Sequence, residues 1–245
     1  MMTVVRRAIA VVGALAVLFV GGPWVYINLI RGDAPEALTL PATTVVADGG
    51  APATTVAPAT TVEATTTSAA PVDPSGRWIA GEGSVAGYRV DEVLFGQNAT
   101  AVGRTAGVEG EIEIDGGAVR AAEFSVDMGS VKSDNAKRDS QFANRIMDVL
   151  NHPTATFVLT EPVALTPEAL AGGEMAVAAV GQMTLRGTTR PVTLDLRARL
   201  TGGTVEVVTS LEIVFAEWGI PEPSLPGIRV EDRGVLEVLL ILRRA

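Results

Sequence analysis

The sequence predicts an all-β fold: an antiparallel up-and-down β-barrel of about eight strands with one helical insert, preceded by a single N-terminal transmembrane helix. Three observations predict it. After about Gly76 the chain falls into runs in which apolar and polar residues alternate, the period of a strand with one dry and one wet face. Around Phe142, Ile146 and Val149 the apolar residues instead recur at three and four, which is helical spacing. From Ala8 to Ile30 no charge interrupts an apolar run of about 23 residues, where roughly 20 suffice to cross a bilayer.

The composition shifts twice and divides the chain into residues 1–31, 32–75 and 76–245. In the first part Arg6 and Arg7 precede the apolar run and Arg31 follows it. The basic flank is therefore expected to stay cytoplasmic, with everything beyond Ile30 outside as a single-pass cell-membrane protein. Trp24 and Tyr26 suit the outer interface. The rival reading is a cleaved signal peptide and a secreted domain, but the apolar run exceeds the usual 7–15 residues and lacks an A-x-A-like site. Residues 32–75, with repeats such as APATTVAPATTVEATTTSAAP, carry little to bury and read as a disordered Thr/Ala/Pro-rich stalk, glycosylated or bare. A flexible stalk of about 44 residues would have an r.m.s. reach of roughly 35–40 Å.

Residues 76–245 are enough for one core, and alternation marks the strands. Val108, Gly110, Ile112 and Ile114 alternate with Glu109, Glu111, Glu113 and Asp115; a turn at Asp115-Gly116-Gly117 follows, and AVRAAEFSVDM returns as the partner. Trp78–Val90, Thr154–Leu165, Glu174–Leu185, Arg190–Leu200, Thr204–Phe215 and Val235–Leu242 complete the set. Closing them into a barrel removes the exposed edges that invite aggregation, which a sandwich would leave. The helix is expected from Asn135 to about Leu150, capped by Ser133 or Asp134 and stopped by Pro153. Ala216–Arg229, with its prolines in EWGIPEPSLPG, reads as a loop over one end.

Composition also excludes chemistries. With no cysteine and one histidine the chain has neither a disulfide framework nor the residues of a zinc site, and no metal or cofactor is expected. A net charge of −9 without a basic run argues against nucleic acid. His152, before Pro153, has no G-x-S-x-G to serve, so no catalytic residue is assigned. Among carboxylates, Asp91, Glu92, Glu111 and Glu113 are candidates for acid/base work, but alternation places most of them on the wet face.

Two motifs carry a family resemblance. RDSQFANRIMDVLNHPTATF resembles the R-D-x-H-L … F-x-D-x-x-x-Y-P-x-x-x-F segment of the YceI-like family, and GQMTLRGTTRPVTLDL resembles its G-x-L-T-I-R-G-x-T-K-P-V-T-L strand pair. Weaker similarity extends from Trp78 to VLEVLLILRRA. The resemblance implies a lipocalin-like barrel with a helical insert that holds long apolar chains such as polyisoprenoids, and it permits a homodimer. The chain departs from the pattern at Glu92 and Gln141, where histidine is usual, at His152, where tyrosine is usual, and at Phe215, often arginine. A family role resting on those histidines is not carried over.

Phe124, Val126 and Met128 alternate on one strand, Phe157 and Leu159 on another, Met183 and Leu185 on a third, while Phe142, Ile146 and Met147 project from the helix. These residues, with Trp218, are the candidate ligand-binding set, and plain core is the competing reading. Only 4% of the chain is aromatic, so small aliphatic walls leave an eight-stranded barrel room for a ligand. Arg138, Asp139 and Arg186 are candidates for a polar mouth that meets a ligand's head; alternatively Arg138 and Asp139 fasten the insert, and Arg186 and Arg190 flank a turn. The expectation is a membrane-tethered extracytoplasmic carrier, not an enzyme, whose partners are the membrane through Ala8–Ile30 and an isoprenoid, isoprenoid quinone or other long-chain lipid. The alternatives are a packed-barrel interaction module and an enzyme using Glu92 or Asp139.

Overall fold

Every strand pairing in the structure is antiparallel, and the first hairpin shows why the sheet closes. Its first arm is β1 (Gly76–Ala80) and β2 (Val85–Leu94), bent at 81–84; its second is β3 (Gln97–Thr105) and β4 (Val108–Asp115), bent at 106–107. β1 pairs with β4 and β2 with β3, so the four segments form one long bent hairpin. Next come β5 (Ala118–Asp127), β6 (Lys132–Ser133), β7 (Thr154–Leu159), β8 (Val163–Ala164), β9 (Glu174–Leu185), β10 (Thr188–Thr201), β11 (Thr204–Val214), β12 (Ile228–Val230) and β13 (Arg233–Arg244). One edge of β13 runs along β11; the other pairs with β1 through Leu242–Arg244 and with β2 through Val235–Leu239. The circuit closes as an eight-stranded barrel in which each hairpin arm counts once.

The coordinates are a computed structural model that describes residues 34–42, 73–94, 96–201, 203–223 and 227–245. The apolar run Ala8–Ile30 lies outside the described residues, as do residues 43–72 of the expected stalk. Among the described residues no helix is long and apolar enough to cross a membrane.

At the bend of the first arm, β13 must pass from one partner strand to the next without orphaning its backbone. Ser84, 2% exposed, supplies the bridge: its hydroxyl accepts from the Ile241 N–H at 3.0 Å and donates to the Ile241 carbonyl at 3.3 Å. The Gly81 N–H donates to the same carbonyl at 2.8 Å. At the second bend the Thr105 and Ser130 hydroxyls lie 2.5 Å apart, and Asp127 N–H donates to the Gly107 carbonyl at 2.8 Å.

The expected strands are present, with three corrections. β3 lies where the sequence predicts no strand: its inward positions hold Ala99, Ala101, Gly103 and Thr105, too small to show as apolar alternation. The expected Asn135–Leu150 helix is shorter. α1 (Ala136–Gln141) passes into one π turn over Phe142–Ile146, and the cap is Asn135, whose side chain accepts from Lys137 N and Arg138 N. Asp148, at φ +50, reverses the chain, and its carbonyl accepts from the N–H groups of Asn151 and His152. Leu150, which the helix would have included, is 93% exposed. Within the segment Ala216–Arg229 the described residues are a 3₁₀ turn, Phe215–Trp218, an irregular stretch over 219–223, and β12 pairing with β2.

Residues 34–42, part of the expected stalk, lie against the barrel. Arg89 donates to the Pro35 carbonyl, Arg104 to that of Glu36 and Arg199 to that of Pro41. Since Arg89 and Arg104 stand on β2 and β3 and Arg199 on β10, the segment straps across β13 and β11 between them. Val102, Val208 and Ile241 face this outer wall by alternation but are buried, and the strap's Leu38 and Leu40 are partly buried. Glu237, 3% exposed, is held there by Arg89 at 3.2 Å and Arg104 at 3.4 Å.

Ser84→Ala should lower stability by about 1–3 kcal/mol, because two backbone groups of Ile241 lose a buried partner; denaturant unfolding with an unchanged m-value would show it. As the chain has no cysteine, spin labels at Thr39→Cys and Asp195→Cys report the strap alone. One narrow distance distribution is expected, broadened by Arg104→Ala with Arg199→Ala; a broad distribution without those alanines contradicts the docking.

Candidate functional site

Inside the barrel runs a cavity of about 350 Å³, bordered almost entirely by apolar side chains. That falls within the roughly 300–1,000 Å³ of small-molecule sites. It is elongated: every inward residue of β11 from Val205 to Ile213 borders it, a rise of roughly 27 Å along the strand and about 20 Å along the axis of a tilted barrel.

The interior stays open because large rings lie against glycines. A Cβ on Gly103 would fall 2.4 Å from the Tyr88 ring, one on Gly181 2.5 Å from Phe157, and one on Gly110 2.5 Å from Phe124. Each ring thus occupies the space of a missing side chain on the neighbouring strand. Elsewhere Ala86, Ala101, Ala122, Ala155, Ala179 and Ala198 keep the wall thin.

Of the eleven apolar residues singled out from sequence, Phe124, Val126, Met128, Phe142, Ile146, Met147, Phe157, Leu159, Met183 and Leu185 border the cavity. Trp218 does not. It is 3% exposed in the core at the insert end, with the Arg190 guanidinium 5.8 Å from its ring. Sequence reasoning omitted Tyr88 and Val90 on β2, Ile112 and Ile114 on β4, and the inward rows of β10, β11 and β13. The alternation that marked those strands also names their inward residues.

The two ends differ. One is bordered by Pro74 and by Ala169 and Leu170 of α2 (Pro167–Leu170); behind it Trp78, 1% exposed, packs in the core, its indole N–H donating to the Pro74 carbonyl at 2.7 Å. The other is covered by Phe142, Ile146 and Met147 of the insert, by Ile220 and Pro223, and by β12. Arg186, on a two-residue turn with Gly187 in which both φ are positive, ties these covers together: its Nε donates to the Ile146 carbonyl at 2.7 Å and its Nη1 to the Gly219 carbonyl. Arg186 does not border the cavity and is not an exposed turn charge. Nor is Asp139 at the cavity wall; its carboxylate accepts from the Ser133 N–H at 2.8 Å and hydroxyl at 2.7 Å, fixing α1 to β6.

Arg138 is different, for it borders the cavity and is paired. Its guanidinium meets Glu92 at 3.0 Å and also Asp134. Glu92, 7% exposed, shares the inward row of β2 with Tyr88 and Val90, so this carboxylate is not on the wet face; Asp91, Glu111 and Glu113 are exposed. Tyr88 stacks on Phe142 with ring centres 5.1 Å apart. Its hydroxyl pKa is pushed up to about 12, first by burial; Arg138 opposes this, and Asp139, Glu92 and Asp134 add to it. The His152 ring lies over Gly187, a packing contact. Among the described residues no group of three His, Cys, Asp or Glu could hold a metal ion.

A closed antiparallel barrel with a helical insert around an apolar lumen defines the class. The YceI-like domain family matches residues 78–240, and the chain belongs to that family. A polyisoprenoid-binding domain from Saccharophagus degradans, described as implicated in plant cell wall breakdown, shares the fold at 15% identity and a TM-score of 0.56, covering 70% of this chain and 99% of its own. BcnA of Burkholderia cenocepacia matches at 20% identity and a TM-score of 0.49, over 63% of this chain and 95% of its own. No curated protein matches the chain.

The Tyr88 shift implies a stability change with pH. A folded pKa raised from 10.0 to about 12 gives stability that is full below pH 10 and lost as pH rises from about 10 to 12, by up to roughly 2–3 kcal/mol. Tyr88→Phe should abolish that loss, as read by denaturant unfolding across the alkaline range. The chain has two tyrosines, Tyr26 and Tyr88, so the tyrosinate absorbance step near pH 12 should vanish in the same variant.

Proposed function

We propose that the chain is a membrane-tethered, extracytoplasmic carrier that holds one long-chain apolar lipid, an isoprenoid or isoprenoid quinone, inside the barrel without turning it over. The observation that carries this reading is the elongated apolar cavity continuous between the two ends. Burying one CH₂ is worth about 0.8 kcal/mol, so a five-carbon isoprene unit contributes roughly 4 before ordering and association costs. A tunnel of aliphatic walls therefore binds a chain without a charged anchor. Membership of the YceI-like family and the printed description of the S. degradans domain support the ligand class. Against an enzyme stand the engaged carboxylates: Glu92 is ion-paired with Arg138, and Asp139 is hydrogen-bonded to Ser133.

The strap alters the expected tether. If Ala8–Ile30 anchors the chain, only residues 31–33 separate it from the docked segment, and three residues span at most about 10 Å. The barrel would then ride at the bilayer surface, where lipid transfer needs no long reach.

Native mass spectrometry of gently purified protein should show a co-purified lipid in a one-to-one complex. Ala179, 2% exposed, borders the cavity, so Ala179→Phe should fill the lumen and reduce binding of a prenyl alcohol by tenfold or more while the barrel stays folded. A protein that remains empty and ignores added prenyl lipids would overturn the proposal.

A further inference from the structure

Nothing in the apolar wall says which head group the ligand carries, but the charges at the insert end do. Two cations border the cavity, Arg138 and Arg199. Neither is available to an anion. Arg199 is paired with Glu206 at 2.6 Å and donates to the Pro41 carbonyl of the strap. Arg138 is paired with Glu92 and Asp134 together, and Asp139 stands one residue further along α1. One guanidinium is thus shared by two carboxylates, while that of Asp139, on the adjacent residue, is bound to Ser133. The direction of the field is visible at Tyr88, where all three carboxylates favour the neutral phenol and Arg138 alone opposes them. The remaining polar side chains bordering the cavity beside Arg138, Gln141 and Tyr88, are uncharged, and neither has a side-chain hydrogen-bond partner among the described residues.

We propose that this end of the cavity selects an uncharged head group, a ketone, quinone or alcohol, and rejects phosphate, diphosphate and carboxylate heads. The Gln141 amide donates to or accepts from such a head, and the Tyr88 hydroxyl does likewise. A phosphate brought to the Arg138 end of the cavity finds the guanidinium already engaged by Glu92 and Asp134, whose like charge opposes it across a partly desolvated wall where repulsion is weakly screened. Glu92 is the residue that makes the difference. With an uncharged residue there, Arg138 would turn part of its charge toward the lumen, and the end of the barrel would suit an anion. The inference rests on the carrier reading but is separable from it.

The test uses the full chain and two probes with the same tail, geranylgeraniol and geranylgeranyl diphosphate, each displacing an apolar fluorophore below its aggregation concentration. The alcohol should bind tighter by roughly tenfold or more at low ionic strength, and salt should narrow the gap. Glu92→Gln should narrow it several-fold by improving diphosphate binding, with little change for the alcohol. Should Glu92→Gln not fold, Asp134→Asn removes a partly exposed carboxylate, leaves the buried Glu92–Arg138 pair intact and should shift the ratio the same way. Equal or tighter diphosphate binding by the unaltered chain, or a ratio unmoved by both variants, overturns the inference while leaving the carrier reading in place. If neither probe binds, both fall.

Discussion

The barrel depends on one bent hairpin. A single strand, β13, borders both halves of its first arm, and closure survives the break between them because the Ser84 hydroxyl and the Gly81 N–H between them satisfy both backbone groups of Ile241. A backbone amide and carbonyl left unpaired at a buried site would cost a large share of a domain's marginal stability. With the bend secured, β1 and β4 frame one end of the barrel, where Trp78 is buried, and β2 and β3 frame the end where the insert sits.

The lumen follows from the same geometry. Bending brings β3, with its small inward residues, opposite Tyr88, and the glycines of β3, β4 and β9 accept aromatic rings that would otherwise cross the barrel. The open lumen is therefore a property of side-chain size at a few positions. The polar end is likewise local: Glu92 projects inward from β2 and binds Arg138 of α1, so one ion pair joins the insert to the barrel and sets the charge a ligand's head would meet. A buried pair of this kind contributes little net stability, yet removing one partner leaves a costly lone charge.

Much of this is legible in the sequence where inward residues are large. Val108, Ile112 and Ile114 against three glutamates announce β4, and ten of the eleven apolar residues chosen from periodicity face the cavity. β3 escapes because alanine, glycine and threonine give no contrast. The helix is overextended because Val149 keeps the helical period after Asp148 has reversed the chain. Trp218 has the character of a lining residue but packs behind the wall, a matter of tertiary placement that no period encodes. The strap is hidden by its surroundings: Leu38 and Leu40 stand in a Pro/Thr/Ala-rich stretch, and the groove they cross is built from strands that come together only on folding. Glu92 shows in sequence as a departure from the family pattern, and its meaning appears only with Arg138 beside it.

The proposed carrier holds a chain-like lipid in the continuous apolar tunnel of the barrel. A crystal structure of the protein purified without detergent tests it most directly. Unbroken, elongated electron density along the β11 face from Val205 to Ile213, with its polar end beside Tyr88 and Gln141, is the predicted result. A lumen collapsed onto its own side chains, or filled by hydrogen-bonded water, would contradict it.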